Sequence, residues 1–308
     1  MSTATDLSFD ESHGSESFRR GREPQQQLSS DPDWRPPFAR PATTTTITTP
    51  TTTANTNGTT TMRDSPSLDP SNYPGGKKSL SGISLRAFLL GVVLGICATL
   101  TLVLVVLSIP LWRVPFFIAS LCLFHFLEYF ITARYNTRQA SVSAFLLTSN
   151  GWAYNVAHGS AVAECLLSHL LFPAGYARWT AAITDTNLPL VLGLVLMLVG
   201  QTVRTLAMAQ AGSNFNHTVQ VERKQGHTLV TGGIYSVLRH PSYFGFFWWG
   251  LGTQLVLQNV ICFCAYAVVL WRFFASRIKR EETFLIHFFG NDYVEYRKRT
   301  RVGIPGIP

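Results

Sequence analysis

Two groups of residues in this chain carry side chains suited to chemistry. The first is the string GGIYSVLRHPSYFG at 232–245, the end of a polar stretch, GSNFNHTVQVERKQGHTLVTGGIYSVLRH, at 212–240. The second is Arg277 with Glu281 and Glu282, some thirty residues further on. Gly232-Gly233 permits a tight turn, and Pro241 suits the first position of a helix. Unpaired backbone N–H groups at such a start, with His240, Ser242 and Tyr243 beside them, can hold a polar ligand. The same string also reads as a plain loop-to-helix junction. Arg277 and Glu281 are four residues apart and share one helical face. They read either as a surface ion pair of a few tenths of a kcal/mol or as grips on a zwitterionic ligand and an anionic substrate group. Glu282, Lys279 and Arg280 read as solvated charge.

The elements that position these residues are apolar. Residues 88–109 form an uninterrupted apolar run long enough to cross a hydrocarbon core, and 111–132 form a second, entered through Pro110. Less pure runs follow at 144–172 and 188–211. Residues 243–276 form a long apolar stretch broken at Gln258-Asn259. One helix of that length is unusual, so the break predicts a tight hairpin of two short arms, each marginal for a full crossing. Phe246, Phe247, Trp248 and Trp249 then line or close its lipid side, or pack at the interface. The fold class is an all-α integral membrane protein of about six transmembrane helices. A disordered tail precedes them, because residues 1–82 are rich in Thr, Ser and Pro, with a low-complexity tract at 43–61. The expected divisions are this tail, transmembrane helices at 83–211, and a cofactor-binding loop, hairpin and C-terminal catalytic tail at 212–308.

Charge placement sets the topology. Arg134, Arg138, Arg223, Lys224, Arg239 and the cluster at 277–301 fall on one side, and only Arg113 and Arg178 on the other. The positive-inside rule puts both termini and the 212–239 loop in the cytosol. The net charge of +8 then reflects topology and attraction to anionic lipid rather than nucleic acid. Glycosylation at the Asn57 sequon would reverse this orientation. Cys97, Cys122, Cys165, Cys262 and Cys264 all fall in apolar segments without metal-ligand spacing, which predicts buried free thiols and no metal site.

Polar groups inside membrane helices are costly and invite functional readings. His125 and Glu128, one turn apart, are placed to pair with each other or to bond across helices. His158 and Glu164 read the same way, and His169 reads as interfacial.

From Gly212 to Gly306 the chain resembles the isoprenylcysteine carboxyl methyltransferase family, membrane enzymes of the endoplasmic reticulum that methylate the C-terminal prenylated cysteine of CaaX-processed proteins. The resemblance rests on GSNFNHTVQ, HTLVTGGIY, RHPSYFGFFWWGLGTQ, NVICF, WRFFASRIKREE and LIHFFGNDYVEYRKR, in that order and spacing. It implies S-adenosylmethionine held by Gln220, His227, Thr228, Leu229, Val230, Tyr235, His240, Pro241, Ser242, Tyr243 and Glu281. It also implies that Arg277 addresses the substrate carboxylate as the catalytic residue. The partners it implies are prenylated proteins whose lipid chain lies in the bilayer, with no nucleic acid. No G-x-G-x-x-G follows a strand, which excludes the dinucleotide-fold route to this cofactor. The rival readings are a phospholipid N-methyltransferase sharing the RHPxY string, a membrane sterol reductase, and a non-enzymatic membrane protein.

Overall fold

The computed structural model describes residues 69–147, 149–171 and 187–308. The low-complexity tract, Asn57 and Arg178 lie outside them. Seven α-helices are described: α1 Leu80–Val106, α2 Arg113–Tyr135, α3 Trp152–Leu171, α4 Leu188–Ala211, α5 Pro241–Leu257, α6 Ile261–Phe289 and α7 Asn291–Arg299. The described residues contain no strand, only a single parallel bridge between Leu238 and Arg301. The all-helical class is as expected. Among the described residues, four helices have the length and apolarity of a membrane crossing: α1, α2, α4 and α6. α3 carries Asn155, His158 and Glu164, and α5 has only 17 residues.

α1 starts earlier than its apolar run because Ser79 caps it, Oγ accepting from the Gly82 N–H at 3.1 Å. Residues just before it already have a defined shape: Asp69 caps a 3-10 turn at Pro70–Asn72, and the Lys77 carbonyl accepts from Val142 N–H. The third apolar run does not form one helix. Val142–Phe145 is a 3-10 turn that ends at Leu146 with φ 57°, and α3 begins only at Trp152, after Gly151 at φ 77°. Periodicity missed that break because Ala144, Phe145 and Leu146 are as apolar as a helix core and are in fact buried.

The hairpin at Gln258-Asn259 is present, but its arms are unequal. α5 stops at Gln258, which takes φ 60°. α6 runs for 29 residues, roughly 44 Å against a hydrocarbon core of roughly 30 Å. Its last turns therefore carry Arg277, Glu281 and Glu282 beyond the apolar stretch. Two polar groups fasten the turn to α3. Asn259 Nδ2 donates to the Ala161 carbonyl and to Gln254 Oε1, both at 2.9 Å. Glu164 accepts from the N–H groups of Val260, Ile261 and Cys262 at 2.7–2.9 Å. A carboxylate on those otherwise orphaned donors also meets the positive end of the helix dipole. Glu164 is thus a helix cap supplied from another helix.

α4 and α5 cross antiparallel on glycine. Gly193 and Gly200 on α4 meet Gly252 and Gly245 on α5, and an added Cβ at Gly245 would lie 2.5 Å from the Gly200 carbonyl oxygen. This seam fixes the start of α5 against Arg204, one turn beyond Gly200. The aromatic run of α5 does not present all four rings to lipid. Phe247 and Trp249 are buried among helices, and Trp248 Nε1 donates to the Gly303 carbonyl at 3.2 Å. Among the cysteines, Cys122, Cys165 and Cys262 are buried, while Cys97 is partly covered and Cys264 is exposed.

Candidate active site

The start of α5 is built by the polar stretch before it. Gly233 turns at φ 60° against Gln210, whose Oε1 would lie 2.3 Å from an added Cβ and which accepts from Ile234 N–H at 2.7 Å. The chain then forms a 3-10 turn at Gly233–Ser236. It pairs with the C-terminal segment through Arg239 N–H to the Arg301 carbonyl, 3.0 Å. Pro241 opens α5 as expected.

A cleft of about 120 Å³ lies between this junction, the 212–230 loop, α6 and α7. His227, Thr228, Leu229, Val230, Tyr235, His240, Pro241, Ser242, Tyr243 and Glu281 line it together. Two expected residues do not. Gln220 stays in the loop, with Nε2 donating to the Thr218 carbonyl at 3.3 Å, and Arg277 stands behind the cleft wall. Arg277 is joined to the cleft through Tyr243: its Nε donates to the Tyr243 hydroxyl at 2.9 Å, and that hydroxyl donates to Glu281 Oε2 at 2.5 Å. Arg277 also donates from Nη2 to the His217 carbonyl. The four-residue spacing of Arg277 and Glu281 therefore makes no direct ion pair; a tyrosine from α5 is inserted between them.

Glu282 is not solvated charge. It is buried and takes Arg239 Nε at 2.6 Å, His240 Nε2 at 3.2 Å and Arg297 Nε at 3.3 Å. Arg239 continues to the Thr300 carbonyl at 2.8 Å and to the Pro308 carbonyl. This knot pins His240, whose ring stacks on Tyr243 at 5.4 Å and 7°.

His125 and Glu128 do not pair with each other. His125 bonds the Phe145 carbonyl at 2.8 Å and the Tyr154 hydroxyl at 3.0 Å. Glu128, 1% exposed, takes a two-pronged bond from Arg204: Nε to Oε1 at 2.5 Å and Nη2 to Oε2 at 2.8 Å. Arg204 Nη1 then donates to Ser242 Oγ at 2.9 Å and to the Ser242 carbonyl at 3.2 Å. Ser242 is consequently engaged from behind the cleft. His158 bonds the Tyr266 hydroxyl at 2.7 Å, and His169 folds back on the Cys165 carbonyl at 2.8 Å. Removing one partner of a buried ion pair typically costs about 3–5 kcal/mol. Glu128→Ala should therefore lower the melting temperature of the detergent-solubilised protein sharply, and an unshifted melt would show that the pair is dispensable.

Outside the membrane segments, burial lowers the His227 pKa, with Arg223 and Lys224 pushing the same way. His217 is lowered first by burial, while Glu128 opposes and Arg204 and Arg277 assist. Burial raises Tyr235, and it raises Tyr296 to about 12. Tyr296 donates to the Tyr235 carbonyl at 2.7 Å and Tyr235 to the Ala207 carbonyl at 3.2 Å. These phenols act as neutral donors that brace the cleft wall. Asn214 and Phe289 are among the further lining residues that escaped sequence reasoning. Asn214 Oδ1 accepts from Thr228 N–H at 2.9 Å and its Nδ2 reaches Thr228 Oγ1 at 3.2 Å, which ties the two ends of the loop together.

Residues 191–287 match the model of the isoprenylcysteine carboxyl methyltransferase (ICMT) family. A protein-S-isoprenylcysteine O-methyltransferase of Saccharomyces cerevisiae is 42% identical over 240 residues, 78% of this chain and 97% of that protein. The human protein of the same name is 42% identical over 227 residues, 73% of this chain and 75% of its own length. A solved structure described as the eukaryotic intramembrane Ras methyltransferase ICMT superposes with a TM-score of 0.64 at 36% identity, covering 73% of this chain and 77% of that one. The described helices thus belong to a known architecture, and the chain is a member of the isoprenylcysteine carboxyl methyltransferase family.

Proposed function

We infer that the chain transfers a methyl group from S-adenosylmethionine to the C-terminal carboxylate of prenylated cysteine in CaaX-processed proteins. The observation that carries this reading is the relay from Arg277 through Tyr243 to Glu281, which links an anion grip to a cation grip across one hydroxyl. The cleft fits the donor. Glu281 is its only acidic lining side chain, about a quarter exposed, and its Oε1 makes no hydrogen bond among the described residues. That oxygen suits the ammonium of a zwitterionic cofactor. Tyr235, Tyr243 and Phe289 offer faces for a planar base, and the Thr228–Val230 backbone offers polar groups at its edge. The enclosed volume of about 120 Å³ is below the roughly 300–1,000 Å³ usual for small-molecule sites.

The bound cofactor supplies an electrophilic methyl group on a sulfonium. The substrate α-carboxylate has a reference pKa of about 3.3–3.7 and is already ionised at neutral pH, so no side chain has to remove a proton. His227 and His240 therefore serve in binding. What limits such a reaction is water around the carboxylate and its orientation. Arg277 is held on two sides, by the Tyr243 hydroxyl and the His217 carbonyl, which leaves Nη1 to orient one carboxylate oxygen. A single contact of this kind positions the nucleophile without favouring the ground state over the transition state.

A prenyl chain gains about 0.8 kcal/mol per buried CH₂, which keeps the substrate in the bilayer. Arg277 sits where α6 leaves its apolar stretch, the level at which a membrane-held cysteine meets a water-borne cofactor. We place that face in the cytosol and the protein in the endoplasmic reticulum membrane. Radiolabelled methyl transfer tests the reading. Membranes carrying the chain should label a farnesylcysteine analogue as a base-labile ester and should not label phosphatidylethanolamine. Glu281→Ala, which loses a charge-assisted contact of about 1.5–3 kcal/mol, should raise the cofactor KM about 10- to 100-fold. Label on the phospholipid amine alone would reject the carboxyl reading.

A further inference from the structure

We propose that a second cavity, beside the cleft, binds the headgroup and upper acyl chains of an anionic phospholipid. The cavity holds about 700 Å³ between α6, α7 and the segment after Arg299. Ile286, Val302 and Ile304 give it an apolar floor, and Arg239, Arg297, Lys298 and Arg301 supply cations, with no acidic side chain among the described residues lining it. Some of that charge is already answered: Arg239 and Arg297 by Glu282, and Lys298 by Glu295 at 2.7 Å. Arg301 is exposed, and its guanidinium has no ion pair among the described residues.

The cavity lies at the border of lipid and water. Trp271 Nε1 donates to the Pro305 carbonyl at 2.8 Å and Trp248 Nε1 to the Gly303 carbonyl at 3.2 Å, so two tryptophans fasten its rim to α6 and α5. Tryptophan favours the headgroup level, where its ring is apolar and its N–H can be satisfied. A soluble anion would leave the apolar floor uncovered, and a neutral lipid would leave the excess of cations unanswered. An anionic phospholipid meets both requirements. Arg239 lines this cavity and the catalytic cleft alike, so the lipid and the cofactor share a wall.

Native mass spectrometry of the full chain with matched phosphatidylserine and phosphatidylcholine tests the proposal. Its readout is bound lipid, independent of methyl transfer. Wild type should retain phosphatidylserine in preference. Lys298→Gln with Arg301→Gln should erode that preference by about fivefold for each cation removed. Lys298→Arg with Arg301→Lys should keep it. Arg134→Gln with Arg138→Gln, a basic pair outside this cavity, should also keep it. Equal retention of the two lipids by wild type overturns the proposal, as does a loss in the distant pair equal to that in Lys298 and Arg301. Displacement by soluble glycerophosphoserine as readily as by the lipid overturns the part assigned to the acyl chains.

Discussion

Arg277→Lys is expected to lower turnover by about two orders of magnitude while cofactor affinity stays within a few-fold. The expectation follows from what holds Arg277 in place. Its Nε donates to the Tyr243 hydroxyl and its Nη2 to the His217 carbonyl, and the guanidinium carbon lies 5.3 Å from the Tyr243 ring centre. Lysine keeps the charge, but its three N–H groups radiate from one nitrogen instead of a planar fork, so they cannot meet those two separated partners and a carboxylate in the same geometry. Misplacement of a reacting group by about 1 Å can cost about a hundredfold. Cofactor binding should survive, because Arg277 does not line the cleft and Glu281 does. Tyr243→Phe offers the complementary case. Removing the shared hydroxyl should harm both cofactor KM and turnover, and Arg277→Lys should then have a smaller added effect, since neighbours in one network are not additive. Turnover and equilibrium cofactor binding, measured on the two single variants and the double, check this. Wild-type turnover in Arg277→Lys, or fully additive losses, would remove the relay from the mechanism.

The sequence displays the parts of this site whose types and spacing are local. Pro241 as the start of α5, the turn at Gln258-Asn259 and ten of the lining residues were legible, most of them through family resemblance. The interposed Tyr243 was not, because helical spacing puts Arg277 and Glu281 on one face without showing what another helix inserts between them. Glu282 was misread for the same reason, and the cross-helix bond open to Glu128 had no visible partner. Glu128 lies 76 residues from Arg204, and Glu282 lies 43 from Arg239. Only the fold brings those charges together. Glu164 carried a hint, since a carboxylate inside an apolar run needs donors. Nothing local identified them as the N–H groups of a helix almost a hundred residues away. The aromatic run at 246–249 was legible only in part. Four large rings look like a lipid gate, yet a short helix packed on a glycine seam turns Phe247 and Trp249 inward.

Gly245→Leu should be among the most damaging single substitutions outside the cleft. A Cβ at Gly245 would lie 2.5 Å from the Gly200 carbonyl oxygen and 2.8 Å from the Arg204 backbone nitrogen. Both are backbone atoms of a regular helix, so no side chain can rotate away; α4 and α5 must separate. Overpacking a core usually costs about 1–3 kcal/mol, and a clash with backbone belongs at the top of that range or beyond. Close approach on small residues is also what holds helices together in lipid, where apolar surface alone gives little preference for a neighbour. The damage should extend to chemistry, because the seam sets the distance from Arg204 to Ser242 and hence the placement of the 240–243 corner. Even Gly245→Ala, which separates the helices less, should lower turnover by more than its loss of folded protein accounts for. Gly91→Ala on α1, where an added Cβ meets nothing within 4 Å, supplies the contrast and should melt and turn over as wild type does. Thermal melts in detergent, paired with turnover per folded molecule, separate the two effects. A Gly245→Leu protein that melted normally would mean that the α4–α5 seam does not hold the site.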